Sequence, residues 1–201
     1  MNRRELLQRV AQLMGGAIST PAILGVLSGC SAKPGLGWTP TVLTPDQVDV
    51  VSAVAEHIIP RTDTPGAIDV GVPEFIDVML KNTYSAADRE RYLAGLAELE
   101  AQAQQLKQKK FVNLEPANQL SLVQRAHDEA LAQERASSVP VAPRPFILMT
   151  KELTMLGFFT SEAGATQLLQ YQAVPGESHG CVPLAEAGAG RTWALETSMR
   201  F

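Results

Sequence analysis

Few cysteines and histidines are present, and this excludes several classes of functional site. The 201 residues contain two cysteines and three histidines. Two cysteines cannot form a disulfide framework, and no two histidines stand at a metal-ligand spacing such as HExxH. The haem-attachment sequence CxxCH, the P-loop and the GxGxxG fingerprint are also absent. No sequence motif therefore identifies a zinc, haem or nucleotide site in this chain.

The chain also lacks a basic block, a long apolar run and the alternating pattern of β-strands. Its formal net charge of −4 argues against nucleic acid as a partner. The apolar stretch at residues 10–29 contains glycines, polar residues and a proline. A transmembrane helix needs roughly 20 strongly apolar residues instead. The predicted fold class is all-α, with a single helical domain, long ordered loops and an N-terminal signal segment.

The first 29 residues predict an export signal. Arg3 and Arg4 precede the letters ELL, a pattern typical of the twin-arginine signal for folded cargo. The letters LSGC at residues 27–30 match the cleavage site of bacterial lipoproteins, at which Cys30 receives a diacylglycerol. Two or more acyl chains give stable membrane anchoring. The alternatives are an ordinary amphipathic N-terminal helix, or a plain signal peptide that leaves Cys30 as a free thiol.

These signals divide the chain into a signal peptide at residues 1–29, a flexible Gly/Pro-rich tether at residues 30–43 and a helical domain at residues 44–201. Removal of the signal leaves 172 residues and takes away three arginines and one glutamate, so the formal net charge becomes −6. That length suits one domain with a real core. Cys181 is expected to be a lone thiol, and it can pair with Cys30 only if Cys30 is not lipidated.

Capping residues predict where the helices begin. Thr44 and Gln47 form a capping box before a helix that Pro60 ends. Ser85 with Asp88 predicts a second cap, and further helices are expected near Pro73 and Pro116. Helical spacing predicts buried faces that include Val48, Val51, Val54, Ala55, Ile58, Phe75, Ile76, Met79, Leu80, Tyr92, Leu96, Leu99, Ala103 and Leu106.

The stretch FILMTKELTMLGFF at residues 146–159 is the most apolar part of the predicted domain, so it is expected to be the central helix. From Thr160 onward, glycine, proline and polar residues predict an irregular tail over the surface.

The stretch IIPRTDTPGAIDVGVPEFIDVML at residues 58–80 has two interpretations. In one, Arg61 and Asp63 bind backbone groups, Pro65 and Gly66 form a turn, and the segment only joins two helices. In the other, the segment is a rigid recognition surface whose directional contacts come from Arg61 and Asp63. Three further carboxylates are interpreted as helix caps or first-turn residues: Asp69, Glu74 and Asp77.

The histidines carry weaker signals. His57 stands at the end of the first helix, where it can bond a terminal carbonyl, and His127 fits a surface or boundary position. Only ESHGC, with His179 and Cys181, brings an imidazole near a thiol that it can activate. Because i and i+2 placement in a glycine-flanked loop fixes no geometry, the plainer interpretation is a free thiol in a loop.

Three stretches resemble the gluconate 2-dehydrogenase subunit 3 family: NRRELLQRV, AEHIIPRTDTPGAIDVGVPEFID and LTMLGFFTSEAGATQLLQYQAVPGESHGCVPL. The middle one is the most specific. The resemblance implies an accessory subunit that binds no cofactor itself and has no catalytic residue of its own. Its partner would be a large FAD-dependent dehydrogenase of the glucose–methanol–choline type that oxidises a sugar, sugar acid or polyol, with a cytochrome c carrying haem c as a third subunit.

The resemblance further implies that the small subunit supports folding, stability and twin-arginine export of the flavoprotein. The complex would then be periplasmic and anchored to the membrane by the lipid on Cys30. Residues 61–73 and 160–184 are expected to contribute to the surface that binds the large subunit, through Arg61, Asp63, Pro65, Phe158, Phe159, Tyr171 and Cys181. For both phenylalanines the alternative is core packing. Two other functions stay open: a free-standing periplasmic lipoprotein, and an enzyme that uses Cys181 and His179.

Overall fold

The structure, a computed structural model, describes residues 37–136, 143–174, 176–177, 181, 183 and 191–193. Within these residues five α-helices follow one another: α1 Pro45–Ile58, α2 Val72–Asn82, α3 Ala86–Lys107, α4 Pro116–Ala136 and α5 Phe146–Thr160. A 3₁₀ turn at Phe111–Asn113 precedes α4, and a π-helical turn at Gly164–Leu168 follows α5. Within the described ranges, the β-structure is a single isolated bridge between Gln170 and Trp193. The all-α prediction is confirmed.

The predicted capping residues stand at the N-termini of α1 and α3, as expected. The Thr44 hydroxyl accepts from the Gln47 amide at 3.3 Å, and the Gln47 side chain accepts from the Thr44 amide at 2.8 Å. Ser85 caps α3 by accepting from the Asp88 amide at 3.2 Å. Each cap satisfies amide groups that have no partner inside the first turn of a helix.

Helix α5 is the centre of the domain, as its apolar sequence predicts. It packs against α1, α2, α3, α4 and the π-helical turn. Such a position needs an apolar surface on all sides of the helix. Nine of its residues are buried: Phe146, Ile147, Leu148, Met149, Thr150, Leu153, Thr154, Gly157 and Phe158.

Two glycines let helices approach α5 closely. A Cβ built on Gly95 of α3 would stand 2.4 Å from the Cβ of Phe146. A Cβ built on Gly157 of α5 would stand 2.7 Å from Cδ1 of Phe75. Beside the first contact, the rings of Tyr92 and Phe146 meet edge to face at 4.9 Å between centroids.

Several predicted burial positions differ from the structure. Leu106, expected in the core, is 50 % exposed near the end of α3, beyond the part that other helices cover. Ile58, Phe75 and Met79 are only half-buried. The tail is not irregular throughout, because residues 164–168 form the π-helical turn immediately after α5.

His57 does not bond a helix-terminal carbonyl. Its Nε2 lies 2.9 Å from Oε1 of Gln119, whose Nε2 donates to the Phe111 carbonyl at 3.0 Å. The amide of Gln119 thus connects α1, α4 and the 3₁₀ turn, which the sequence did not predict.

The largest departure from the sequence-based prediction is Asp77, expected in a first-turn role on α2. Its side chain is buried and accepts four hydrogen bonds from the segment before α1. Oδ2 accepts from the amide and hydroxyl of Thr41, both at 2.8 Å. Oδ1 accepts from the amides of Val42 at 2.9 Å and Leu43 at 2.8 Å. The last residues of the predicted tether are therefore fixed to α2.

The Asp77 carboxylate is kept ionised by these donors. Burial by itself raises the pKa of a carboxyl group, because it disfavours the charged form. The amides of Leu43, Thr41 and Val42 and the Thr41 hydroxyl outweigh this effect, and the pKa of Asp77 lies below its ordinary value.

We expect Asp77→Asn to lower the free energy of unfolding by about 2–3 kcal/mol at pH 7, because the new amide group would face donors and leave buried N–H groups unpaired. Urea denaturation of the mature chain measures this. Glu74→Gln, an exposed change on the same helix, should stay within about 0.5 kcal/mol.

Wild type and Asp77→Asn together also test how the free energy of unfolding depends on pH. The folded-state pKa of Asp77 is lower than that of the unfolded chain, about 3.9. Its contribution is therefore fully present above that pH and is lost as the pH falls through the folded-state pKa. The difference in stability between wild type and Asp77→Asn should narrow below about pH 4. A difference that is constant from pH 7 to pH 3 would contradict an ionised, hydrogen-bonded Asp77.

We expect Gly95→Ala to lower the free energy of unfolding by about 1–2 kcal/mol. Overpacking against the Phe146 Cβ costs about 1–3 kcal/mol, which exceeds the gain of up to ~1 kcal/mol from alanine in a helix. Gly176→Ala, where a Cβ meets nothing within 4 Å, is the control, and its net effect should be within about 0.5 kcal/mol. Equal losses in urea denaturation would contradict this explanation.

Candidate functional site

The predicted recognition segment forms a fixed connection between α1 and α2. Helix α2 begins at Val72, so the connection, called here the α1–α2 loop, consists of residues 59–71. Its backbone bonds to itself: the Ala67 amide donates to the Ile59 carbonyl at 2.9 Å, and the Val72 amide donates to the Ala67 carbonyl at 3.1 Å. Gly71 ends the loop with a φ of 78°, a left-handed conformation that favours glycine.

Glu56, in the last turn of α1, closes the loop from one side. Its Oε1 accepts from the Arg61 amide at 2.9 Å, and its Oε2 accepts from the Ile68 amide at 3.2 Å. One carboxylate thus joins the two ends of the loop. Gly66 lies against it, since a Cβ at this position would stand 2.4 Å from Glu56 Oε1 and 2.7 Å from the Arg61 nitrogen.

Arg61 and Asp69 close the loop from the other side. Arg61 Nε donates to Asp69 Oδ2 at 2.6 Å, and its terminal nitrogen donates to Oδ1, so the pair is bidentate. Asp69 Oδ2 also accepts from the Gly66 amide at 2.9 Å. The Arg61 guanidinium and then the Gly66 amide hold the pKa of Asp69 below its ordinary value. Asp69 therefore closes the loop and does not cap a helix.

The outer face of this loop carries polar and apolar groups. The Arg61 side chain is 67 % exposed despite its ion pair, and Ile68 is 48 % exposed. Asp63 is exposed, and no hydrogen bond or ion pair is recorded for its side chain within the described ranges. Pro65 is half-buried. The geometry agrees with a part of each interpretation, because the backbone of the loop is internally fixed and its tip faces solvent. The expected bonds from Arg61 and Asp63 to backbone groups are not formed, since Glu56 and Asp69 accept from the backbone amides instead.

The other candidate contacts lie on α5 and in the tail. Phe158 is completely buried, which is the core position given above as its alternative, and Phe159 is half-buried beside it with the ring centroids 5.4 Å apart. Tyr171 is 60 % exposed. Cys181 is an exposed free thiol. The remaining predicted site residues, Arg3, Arg4, Cys30 and His179, lie outside the described residues.

Sequence reasoning missed the partners of two carboxylates, Glu56 and Asp77, although each carried a signal. Glu56 stands in the last turn of α1, where the helix dipole disfavours an acidic residue. Asp77 occupies the inward stripe of α2, one position after Ile76 and three before Leu80. A carboxylate placed against a local preference indicates a partner elsewhere in the fold.

In the described parts of the chain, no three histidine, cysteine, aspartate or glutamate side chains are grouped so as to bind a metal ion. No described helix is long and apolar enough to span the lipid bilayer.

The helical domain matches a known protein family. The family model described as gluconate 2-dehydrogenase subunit 3 matches residues 45–176, a range that starts with α1 and includes all five helices and the α1–α2 loop. No curated protein and no solved structure matches the chain.

We expect Gly66→Ala to open the α1–α2 loop, because the added methyl group would displace Glu56 from the Arg61 amide. Trypsin cleavage after Arg61 measures the opening, since cleavage requires local unfolding of the loop. The cleavage rate should rise on the order of tenfold, given an overpacking cost of about 1–3 kcal/mol. Gly176→Ala, where a Cβ meets nothing within 4 Å, is the control. Equal rates in both variants would mean that Glu56 does not hold the loop closed.

Proposed function

The chain belongs to the gluconate 2-dehydrogenase subunit 3 family, and from this membership we propose that it is the non-catalytic small subunit of a membrane-associated, periplasmic, FAD-dependent dehydrogenase. Family membership makes it an accessory subunit of a dehydrogenase complex. The proposal adds that its partner is a flavoprotein of the glucose–methanol–choline type acting on a sugar, sugar acid or polyol. In this proposal FAD is bound by the large subunit, and a cytochrome c subunit receives the electrons.

The observation that supports a binding role best is the closed α1–α2 loop. Glu56 and Asp69 fix its backbone, so the loop loses little conformational freedom when a partner binds. Its exposed surface offers the guanidinium of Arg61, which is paired with Asp69, an anion at Asp63 and an apolar side chain at Ile68. Directional polar groups beside an apolar contact are typical of protein interfaces. An obligate interface buries upwards of ~2,000 Å² in total, so Tyr171 and neighbouring surface would contribute as well.

The proposed export role follows from the order of events in flavoprotein assembly. A flavoprotein acquires FAD in the cytoplasm and must then cross the membrane folded. A twin-arginine signal is read on folded cargo, so Arg3 and Arg4 of the small subunit could direct both proteins together. Lipidation of Cys30 would then keep the complex at the membrane.

We expect the full chain, tagged after Phe201 and purified from gently solubilised membranes, to bring down a stoichiometric large protein with flavin absorbance. Mass spectrometry identifies that protein, and its own active site then gives the substrate. A tagged chain that is isolated alone and colourless, with the whole genome expressed, would contradict the proposal and favour the free-standing lipoprotein.

We expect Asp63→Ala and Arg61→Ala to lower the yield and stability of that complex several-fold. The effect of Arg61→Ala combines a lost contact with a loosened loop, whereas Asp63→Ala leaves the loop's recorded bonds intact. Glu98→Ala and Arg135→Ala, which change exposed charges on α3 and α4, are the matched controls. Undiminished assembly of both loop variants would show that the loop is internal scaffolding only.

A further inference from the structure

A second surface feature lies next to the α1–α2 loop. It is a groove of about 260 Å³ between α1, α4 and α5. We call it the Lys151 groove, and its lining includes His57, Leu120, Val123, His127, Ile147 and Lys151. Its lining joins the loop directly, because His57 and Ile58 are the last residues of α1 and the loop begins at residue 59.

Lys151 has an unusual partner in this groove. Its Nζ lies 3.0 Å from His127 Nε2. An ammonium group can only donate, so Nε2 must carry a lone pair, and the proton of the neutral imidazole is on Nδ1. Nδ1 lies 3.4 Å from Asp128 Oδ1, which fits that tautomer. The hydrogen bond to His127 therefore gives Lys151 no direct counter-charge, since the Asp128 carboxylate lies on the other side of the imidazole ring.

No carboxylate in the described ranges compensates that charge by direct contact. Within 4.0 Å, the limit for an ion pair, Lys151 Nζ meets no described carboxylate oxygen. The adjacent Glu152 is paired with Arg144 instead. Lys151 is only half-exposed, and a partly desolvated ammonium group without a counter-ion is unfavourable.

The other groups of the groove define what would bind there. Val123 and Ile147 are buried, and Leu120 is 38 % exposed, so the apolar surface suits an alkyl or aromatic group. His57 adds an acceptor: because Gln119 Oε1 must accept from His57 Nε2, the lone pair is on Nδ1. The groove thus combines a cation, an acceptor and apolar side chains, and the exposed carboxylate of Asp128 also lines it.

We propose that the Lys151 groove binds a segment of the large subunit in which an aspartate or glutamate carboxylate pairs with Lys151 and an adjacent apolar side chain covers Leu120. This inference rests on the proposed function and assigns a second contact beside the α1–α2 loop. A protein segment fits better than a free sugar acid, which has hydroxyl groups along its carbon chain and no apolar part to match these residues.

The test uses the full chain co-expressed with the flavoprotein identified by co-purification. Lys151→Met keeps an unbranched apolar side chain and removes the charge, and Lys109→Met at an exposed lysine is the matched control. We expect Lys151→Met to weaken the complex by roughly 30-fold or more in Kd, the usual result of removing one partner of a buried charge pair. Lys109→Met should leave Kd unchanged. Circular dichroism and thermal unfolding of the isolated variants separate this effect from misfolding.

A carbodiimide cross-link provides a second readout that does not depend on a variant. The reagent joins an amine and a carboxylate in contact by an amide bond with loss of water, and is itself converted to a urea. We expect a cross-linked peptide that joins Lys151 to an aspartate or glutamate of the large subunit. An unchanged Kd for Lys151→Met, or cross-links at other lysines only, would overturn the inference and leave the proposed function standing.

Two further outcomes distinguish a failure of the proposed function from a failure of this inference alone. If the wild-type chain purifies without a flavoprotein, the proposed function fails and this inference fails with it. If gluconate raises the melting temperature of the isolated wild-type chain but not of Lys151→Met, while both form the complex equally well, the groove binds a small carboxylate. That result would overturn the inference of a protein segment.

Discussion

The domain depends on the burial of one helix, α5, by all the others. An apolar helix of this kind cannot remain at the surface, so the four other helices and the π-helical turn are positioned by the surface it offers. Gly95 and Gly157 set the closest approaches. Within this core the hydroxyl of Thr150 lies 3.1 Å from that of Tyr92 and bonds the Phe146 carbonyl at 2.9 Å, whereas the buried hydroxyl of Thr154 has no hydrogen-bond partner among the described residues. Because their hydroxyl groups are hydrogen-bonded, Thr150 and Tyr92 can be fully buried at little cost in free energy.

Around this centre, three carboxylates fix the irregular backbone before and after α1. Asp77 holds the segment before α1, Glu56 closes the loop after α1, and Asp69 completes that closure through Arg61 and Gly66. Each accepts from backbone amides that helices do not satisfy, which is the usual condition for an ordered loop. The loop and the Lys151 groove then share the end of α1. The orientation of α1 therefore positions both surfaces that we assign to the partner.

Local signals predicted the helices well. Thr44, Ser85 and the apolar run at residues 146–159 each act through neighbours in sequence or through uniform burial, so the pattern alone identifies them. The surface proposed to bind the partner was harder to predict from the sequence. The partner of Asp77 is 36 positions away in the sequence, and the pairing of Lys151 with His127 joins two helices. Such contacts depend on how helices are packed, and neither periodicity nor capping rules contain that information. The family match supports the accessory role, while the contacts proposed for the partner are inferred from the structure.

The attachment of Thr41, Val42 and Leu43 to Asp77 also has a mechanical consequence. A pull applied to the chain ahead of Thr41 reaches α2 before it reaches the first turn of α1. The four bonds to one carboxylate share that force, so the N-terminal cap of α1 is shielded from it. The Asp77 carboxylate in the middle of α2 thus transfers tension from the preceding segment to α2. The core can keep its packing while the preceding segment is under tension.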